Sequence, residues 1–223
     1  MRGSIRLLRD REEAGRILVE ELAKYAGSRD LVVLGLPRGG VVVAYQVAKA
    51  FNVPLDVFLV RKLGVPGHEE LAAGAIASGG VRVLNEDVIR SVGLSEARLD
   101  EIAAREQTVL QTRERLYRGH ASPVDLTDKQ VIVVDDGLAT GATMRTAVAA
   151  LKRLGPGRII VAVPMAPVET CGMLAKEADE VVCAMTPSPF FSIGEWYENF
   201  GQTSDDEVVA LLELARSFGQ TEE

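Results

Sequence analysis

Cysteine, histidine and aromatic residues are scarce in this chain of 223 residues, and each shortage excludes a class of function. The two cysteines, Cys171 and Cys183, form no CxxC motif, and with only two histidines they leave no ligand cluster for zinc. We therefore expect both cysteines to be isolated core residues in a reducing compartment. No apolar run reaches the roughly 18 residues of a membrane span, and the first residues lack a signal-peptide core. These absences predict a cytoplasmic protein without membrane contact.

The charge balance is acidic, with 25 Lys and Arg against 32 Asp and Glu and a formal net charge of −7. Such a balance argues against nucleic acid or an anionic membrane as the main partner, although it is compatible with a local basic pocket. The length and the 47% hydrophobic content suit one sizeable α/β domain with a small subdomain.

Five short aliphatic runs are rich in valine, isoleucine and leucine and do not alternate with polar residues. This pattern is typical of strands that are covered on both faces of a parallel sheet. The runs cover residues 31–34, 55–60, 131–134, 159–163 and 180–184. Because helical patterns separate most of them, we predict a doubly wound α/β fold with a mainly parallel five-stranded sheet. Ligands of such folds bind beyond the carboxyl ends of the strands.

One region interrupts this alternation. Residues 74–84 contain two strand-like segments around a Gly-Gly pair, which predicts a hairpin. A long helix is predicted over 96–118, where the i,i+4 pair Glu114 and Arg118 indicates a solvated face. We predict a single domain over residues 1–223. Its parts are a core over about 28–84 and 126–185, a helical insertion over about 85–125, and a hood with a C-terminal helix over about 186–223.

An acid pair, Asp135 and Asp136, directly follows the buried run 131–134. Adjacent like charges are costly there unless a cation or hydroxyl donors satisfy them. The turn 140–143 (Thr-Gly-Ala-Thr) then precedes a helix, where backbone N–H groups and the helix dipole favour a phosphate. Together the two features fit a sugar with a phosphate on one side and a vicinal diol on the other. Two merely solvated acids at a strand tip are the plainer alternative.

Four aliphatics, two acids, a short spacer and Thr-Gly-x-Thr resemble the signature with which type I phosphoribosyltransferases bind 5-phosphoribosyl 1-pyrophosphate (PRPP). The resemblance implies that Asp135 and Asp136 grip the ribose hydroxyls and contact Mg²⁺, directly or through ribose or water. It also implies a 5′-phosphate cradle formed by Ala139, Thr140, Gly141, Ala142 and Thr143. Ala139 stands where enzymes for 6-oxopurines often carry an Asp base, which argues against a close copy of the hypoxanthine–guanine enzymes.

The resemblance further implies a pyrophosphate loop after the first core strand, often with a cis peptide bond. The residues at that place are Arg38, Gly39 and Gly40, although an ordinary glycine-rich turn would have the same sequence pattern. Residues 61–70 are expected to form a mobile loop that closes over pyrophosphate. Its Arg61 and Lys62 would stabilise the negative charge of the leaving group.

Aromatic residues are only 5% of the chain, yet several crowd together after the last predicted strand. Stacking of a flat acceptor on Phe190, Phe191 or Trp196 is one interpretation. Anchoring of the C-terminal helix to the core explains the same residues equally well.

The function that the resemblance implies is transfer of the phosphoribosyl group from Mg-PRPP to a nitrogen nucleophile, usually that of a nucleobase, with release of pyrophosphate. Such an enzyme would act in nucleotide metabolism and nucleobase salvage. One alternative is a non-catalytic sensor of PRPP or nucleotides with the same fold. A hydrolase of sugar phosphates is another. Dimers are common in this family, so a homodimer is the implied assembly.

Overall fold

The computed structural model describes residues 7–219, apart from the side chains of Glu69 and Glu70; residues 1–6 and 220–223 of the predicted domain lie outside the described residues. Within this range the strands are β1 (Leu31–Gly35), β2 (Leu55–Val57), β3 (Val60–Val65), β4 (His68–Ala77), β5 (Val81–Leu84), β6 (Gln130–Val134), β7 (Arg158–Met165) and β8 (Glu180–Met185). The α-helices are α1 (Arg11–Glu21), α2 (Gly39–Phe51), α3 (Glu86–Val92), α4 (Glu96–Arg118), α5 (Ala142–Leu151), α6 (Val168–Leu174) and α7 (Asp205–Leu214).

The core is a five-stranded parallel sheet in the order β2-β1-β6-β7-β8, which confirms the predicted α/β fold. Its central strands are almost wholly buried because helices cover both faces, as their unbroken aliphatic sequences indicate. The register places Gly35 of β1 opposite Val134 of β6. The loops that follow these two strands therefore leave the sheet side by side at its carboxyl edge.

The second core strand is shorter than predicted. The apolar run 55–60 stays in the core sheet only as far as Val57. The backbone N–H of Phe58 still bonds to Gly35 O at 3.1 Å, but Leu59 already exchanges hydrogen bonds with Ser78. The chain thus changes sheets inside one hydrophobic run. Hydrophobicity alone cannot reveal this change, because both sheets bury the run.

Strands β3, β4 and β5 form a second, antiparallel sheet beside the core. Its β4–β5 half is the hairpin predicted at 74–84. Residues 61–70, predicted as a mobile loop, form a second hairpin, β3–β4, around a turn at Gly67 with φ of 79°. Closure of this hairpin over pyrophosphate stays a prediction. Leu63 and Val65 are buried at alternate positions, which is the strand signal that the glycine and proline residues obscured.

Helix α4, with 23 residues, packs against β3 and α7. The expectation that Glu114 and Arg118 lie on a solvated face is wrong for Arg118, which is only 8% exposed. Arg118 Nε donates to Asp56 Oδ1 at 2.8 Å, and its other nitrogens donate to Glu114 and to Val57 O. This buried network fastens the end of α4 to strand β2. No helix within residues 7–219 has both the length and the apolar character that a membrane span requires.

The expectation of isolated cysteines is also wrong, because Cys171 and Cys183 form a disulfide. Helix α6 connects β7 to β8 and packs back against β8, which brings the two residues together. The cysteines therefore no longer argue for a reducing compartment. The cytoplasmic location stays a prediction.

We predict that reduction of this disulfide destabilises the protein. Closing a loop between residues 12 positions apart stabilises a fold by ~3 kcal/mol, mainly through the unfolded chain. For a chain of this size, Tm measured by differential scanning calorimetry should fall by roughly 5–10 °C in dithiothreitol. The Cys171→Ser, Cys183→Ser double variant is the control, and its Tm should not respond to the reductant. Equal Tm values for the oxidised and reduced wild type would contradict the prediction.

Candidate functional site

Two loops meet at the carboxyl edge of the sheet, one after β1 and one after β6. The N–H of Leu36 continues the pairing of the strands by donating to Val134 O at 2.9 Å. Next to it, a Cβ built on Gly40 would lie 2.8 Å from the Cα of Asp135 and from Val134 O. The backbone of the first loop thus rests directly on the acid pair.

Gly39 makes an even closer approach. A Cβ at this position would overlap Asp136 Oδ2 and would lie 2.6 Å from Arg11 Nε. Only glycine leaves room for the loop and the carboxylate together. The preceding peptide bond, between Pro37 and Arg38, is cis. The predicted pyrophosphate-loop residues and the predicted ribose ligands therefore form one continuous surface.

The two carboxylates of the acid pair have different surroundings. Asp135 Oδ1 accepts a hydrogen bond from the Asp136 N–H at 2.9 Å, and its side chain packs against Gly40. Burial, and then the charge of Asp136, raise the pKa of Asp135 well above its usual range. The neutral acid is thereby more favoured at Asp135 than at an exposed aspartate.

Asp136 has a cationic partner that the sequence did not reveal. Arg11 Nε donates to Asp136 Oδ2 at 2.7 Å, and the two side chains are 12% and 13% exposed. Arg11 Nη1 donates to Gly201 O at 2.7 Å, and the guanidinium lies 4.0 Å from the centre of the Phe200 ring. No local signal could have found this contact, because Arg11 precedes Asp136 by 125 residues.

A tyrosine binds the backbone of the same aspartate. The Tyr197 hydroxyl donates to the backbone O of Asp136 at 2.7 Å. Burial raises the pKa of Tyr197, and the neighbouring Asp136 adds to the effect, so the phenol stays a donor. Tyr197 also stacks on Phe200 with ring centres 4.9 Å apart. These aromatic residues hold the backbone around the acid pair.

The predicted phosphate cradle is an open turn at the start of α5. Gly141 caps the helix with φ of 71°, a conformation that glycine adopts without strain. The first intrahelical bond runs from Arg145 N to Gly141 O, so the N–H groups of Thr143 and Met144 lack intrahelical acceptors. The side chains around them are exposed, namely Ala139, Thr140, Ala142 and Thr143. The turn therefore faces solvent and could hold an anion.

Helix α6 supports this turn from behind. Thr170, only 4% exposed, donates its hydroxyl to Ala139 O at 2.7 Å. Its methyl group lies 2.8 Å from the position that a Cβ on Gly141 would take. Thr170 directly precedes Cys171, so the disulfide fixes the helix that supports the cradle.

The predicted cations take different places. Arg38 lies at the acid-pair edge, and its Nη1 is 3.9 Å from Asp205 Oδ1, which also accepts the Tyr117 hydroxyl at 2.6 Å. Arg61 lies on β3 and is bound to Glu106 of α4 through Nε at 3.0 Å and Nη2 at 2.5 Å. Lys62 is exposed on the same strand. The structure thus does not bring Arg61 against the acid pair.

The aromatic residues proposed for acceptor binding separate into two environments. Phe190 stacks on Trp196 with centroids 6.3 Å apart, whereas Phe191 is 77% exposed. The backbone O of Trp196 accepts the N–H of Leu8 at 2.9 Å, and a short bridge joins Leu8 to Tyr197. The backbone of Trp196 thus binds the segment before α1, and the ring of Phe191 is exposed. The acceptor-binding and helix-anchoring roles of these residues both stay predictions.

Metal-binding groups are sparse. Among residues 7–219, no three His, Cys, Asp or Glu side chains cluster in a way that could hold a metal ion. The acid pair offers carboxylate oxygens at this edge, and Arg11 already binds one of them.

Comparison with known proteins identifies the family. A model described as the phosphoribosyl transferase domain matches residues 7–207, which include every element of the site. The chain belongs to the phosphoribosyl transferase domain family. The match spans Arg11 at the start of α1 as well as the acid pair, the cradle and the hood.

Individual relatives match different shares of the chain. Rv0571c of Mycobacterium tuberculosis carries a provisional phosphoribosyl transferase name. It is 48% identical over 217 residues, covering 97% of this chain and 49% of that protein. The chain thus spans about half the length of that relative. The crystal structure of TT1426 from Thermus thermophilus has a TM-score of 0.83 at 43% identity, covering 92% of this chain and 97% of that one. The bifunctional protein PyrR of Bacillus cereus is 47% identical over 68 residues, covering 29% of this chain and 38% of PyrR.

We predict that Gly39→Ala disrupts the site. The added methyl group must displace Asp136 or Arg11. The resemblance implies a ribose phosphate ligand at the acid pair, and loss of one or two hydrogen bonds to it costs about 1.4 kcal/mol. We therefore expect a roughly tenfold loss of affinity for ribose 5-phosphate, measured by calorimetry. Gly172→Ala is the matched control, because nothing lies within 4 Å of the new methyl group. Unchanged affinity in the Gly39 variant would show that the loop and the acid pair are not in contact.

We also predict that Asp135→Asn stabilises the fold at neutral pH. The raised pKa means that ionising Asp135 costs more in the folded state than in the unfolded state. Wild-type stability is therefore lost as pH rises from about 4, the ordinary Asp pKa, towards the raised value. The Asn variant lacks this loss, so its Tm advantage should be absent near pH 4, grow above it, and reach a few degrees if ~1 kcal/mol is relieved. Thermal unfolding from pH 4 to 8 measures the difference; a constant offset would contradict the cause given.

Proposed function

We propose that this protein transfers a 5-phosphoribosyl group from PRPP, as its magnesium complex, to a nitrogen nucleophile and releases pyrophosphate. The acceptor that we propose is a nucleobase, which would place the protein in nucleobase salvage. Family membership supports a transferase. The donor, the acceptor and catalysis itself are the proposal.

One observation carries the proposal, namely that a loop nearly 100 residues earlier in the chain rests directly on the acid pair. The backbone of Gly39 and Gly40 contacts Asp135 and Asp136, and the open turn before α5 follows the acid pair by a few residues. A hydroxyl-binding end, an anion-binding turn and a second backbone loop match the sugar, the 5′-phosphate and the pyrophosphate of PRPP. Two solvated acids at a strand tip would need none of these neighbours.

The chemistry would proceed by exchange at C1′ of the ribose. The C1′–O bond to pyrophosphate breaks with its electron pair on the leaving oxygen, and a C1′–N bond to the acceptor forms. Positive charge that develops on the sugar would be stabilised by the carboxylate of Asp136, and the turn at α5 would hold the 5′-phosphate in place. Arg38, at the acid-pair edge, would attract the departing pyrophosphate.

The residues fit Mg²⁺ only in part. Carboxylate oxygens are suitable donors, and Asp135 and Asp136 could contribute them directly or through ribose or water. Because Arg11 binds Asp136 and no third acid joins the pair within residues 7–219, phosphates and water would supply most ligands. When bound, the ion would neutralise charge on the leaving pyrophosphate.

The acceptor would lie towards the hood. Phe191 presents a ring that is 77% exposed, which suits stacking against a planar base. Ala139 supplies no base within the cradle. The homodimer stays a prediction.

A PRPP or nucleotide sensor is the second candidate, and one observation favours it. Arg61, the cation expected to stabilise the leaving group, is bound to the buried Glu106. A protein that binds PRPP without turning it over has no need of a cation there. Binding of PRPP without pyrophosphate release would favour this function.

We predict that Asp136→Asn lowers the rate of pyrophosphate release from Mg-PRPP, measured over a panel of purine and pyrimidine bases, by ~100-fold. Asparagine keeps an oxygen for Arg11 but removes the charge that would stabilise the sugar. Asp87→Asn, the same change at a residue that is 91% exposed on α3, is the matched control. Unaltered turnover in a folded Asp136 variant would exclude the proposed role. Release of phosphate without any acceptor would instead indicate a hydrolase.

A further inference from the structure

We propose that Arg11 is a positioning residue that makes the acid pair a receptor for the sugar's vicinal hydroxyls and disfavours direct binding of a divalent cation. The inference rests on the proposed function, because it concerns how the same site selects its ligand. Arg11 acts through Asp136 and is not assigned a contact with the reacting atoms.

The first support is the way in which Arg11 is held. Its guanidinium binds Asp136 Oδ2 and Gly201 O, both at 2.7 Å, and covers the Phe200 ring at 4.0 Å. These contacts come from two separate segments of the chain, the acid pair and residues 200–201. An arginine used merely to cover surface would not be held by both.

The backbone that carries Arg11 is fixed as well. Asp10 caps α1 by accepting the Glu13 N–H at 2.8 Å, so the helix begins at Arg11. The segment before it bonds to the hood, with Glu198 N donating to Leu8 O at 2.7 Å and Asn199 N donating to Arg9 O at 2.9 Å. Arg11 therefore stands at a fixed place between the hood and the acid pair.

The second support is charge. An ionised carboxylate at Asp136, beside the carboxyl oxygens of Asp135, would attract a divalent cation, and such oxygens are ligands that Mg²⁺ accepts. Arg11 lies 2.7 Å from one of them and offsets one negative charge. It repels a second cation at that oxygen. Neutral hydroxyl groups pay no such electrostatic penalty, so the arginine shifts the preference of the pair towards a diol.

The third support is geometry. Gly39 leaves no space for Asp136 Oδ2 to move towards the first loop, and the Tyr197 hydroxyl holds the Asp136 backbone. With Oδ2 fixed by Arg11, the carboxylate plane has a single orientation. Recognition of adjacent hydroxyls requires such a fixed pair of acceptors, because each hydrogen bond depends on direction.

The inference is tested by calorimetric titration of three ligands without turnover. Ribose 5-phosphate and 2-deoxyribose 5-phosphate differ only in the hydroxyl, and inorganic phosphate reports on the cradle alone. Arg11→Gln should weaken ribose 5-phosphate binding by about tenfold, reduce the preference for ribose over 2-deoxyribose, and leave phosphate binding unchanged. The same variant should bind Mn²⁺ more tightly than the wild type in the absence of sugar.

Two further variants complete the design. Arg11→Lys keeps the charge without the planar fork, so it should keep Mn²⁺ binding weak while restoring only part of the ribose preference. Arg16→Gln, at an exposed position of the same helix that pairs with Glu12 at 3.6 Å, is the control and should behave as the wild type. Thermal unfolding of each variant establishes that it is folded.

The outcomes separate the inference from the proposed function. A wild type that prefers ribose, with an Arg11→Gln variant that keeps both this preference and weak Mn²⁺ binding, overturns the role of Arg11 alone. A parallel loss of phosphate binding in that variant also overturns it, because Arg11 would then support the fold in general. A wild type that binds neither PRPP nor ribose 5-phosphate overturns the proposed function itself.

Discussion

The constraint on which this site depends is the placement of two carboxylates at the end of a buried parallel strand. The fold resolves it in two different ways. Burial raises the pKa of Asp135, and the charge of Asp136 is compensated by Arg11. The compensation requires α1 to begin beside the strand end and requires glycine at position 39, since any side chain there would overlap the ion pair. The N-terminal helix, the first loop and the hood therefore all contact one short acidic segment, and its charges restrict where each of them can lie.

A second chain of contacts links the phosphate cradle to the far edge of the sheet. Thr170 supports Ala139 and limits the space around Gly141, and the adjacent Cys171 is bonded to Cys183 on the edge strand β8. Helix α6 is also held by the buried Leu174, and the disulfide adds a covalent link to β8, which has a single neighbour in the sheet. The disulfide thus gives rigidity to the wall behind the turn, where backbone N–H groups must keep fixed directions to hold an anion.

Sequence patterns predicted those features that depend on neighbours along the chain. The aliphatic runs predicted the parallel sheet, and the motif around Asp135 and Thr140 led to the family. Features that depend on distant partners were missed. Arg11 and Arg118 look like ordinary helix-surface charges, yet each is buried against an aspartate from another segment, and burial of charge has no local signature. The hydrophobic pattern predicted a single strand over residues 55–60, but the start of this run lies in the core sheet and its end in the second sheet.

Several charged side chains of the candidate site are already paired with other side chains, which affects how any ligand would bind. Asp136 is satisfied by Arg11, and Arg61 by Glu106, before a ligand arrives. A phosphorylated sugar would therefore exchange existing hydrogen bonds for new ones, and its affinity would be the difference between the two sets. The cradle at α5 differs, because its first N–H groups lack intrahelical acceptors and Thr140 and Thr143 face solvent. Binding energy should therefore come chiefly from the 5′-phosphate, with the acid pair adding selectivity for the sugar and comparatively little affinity.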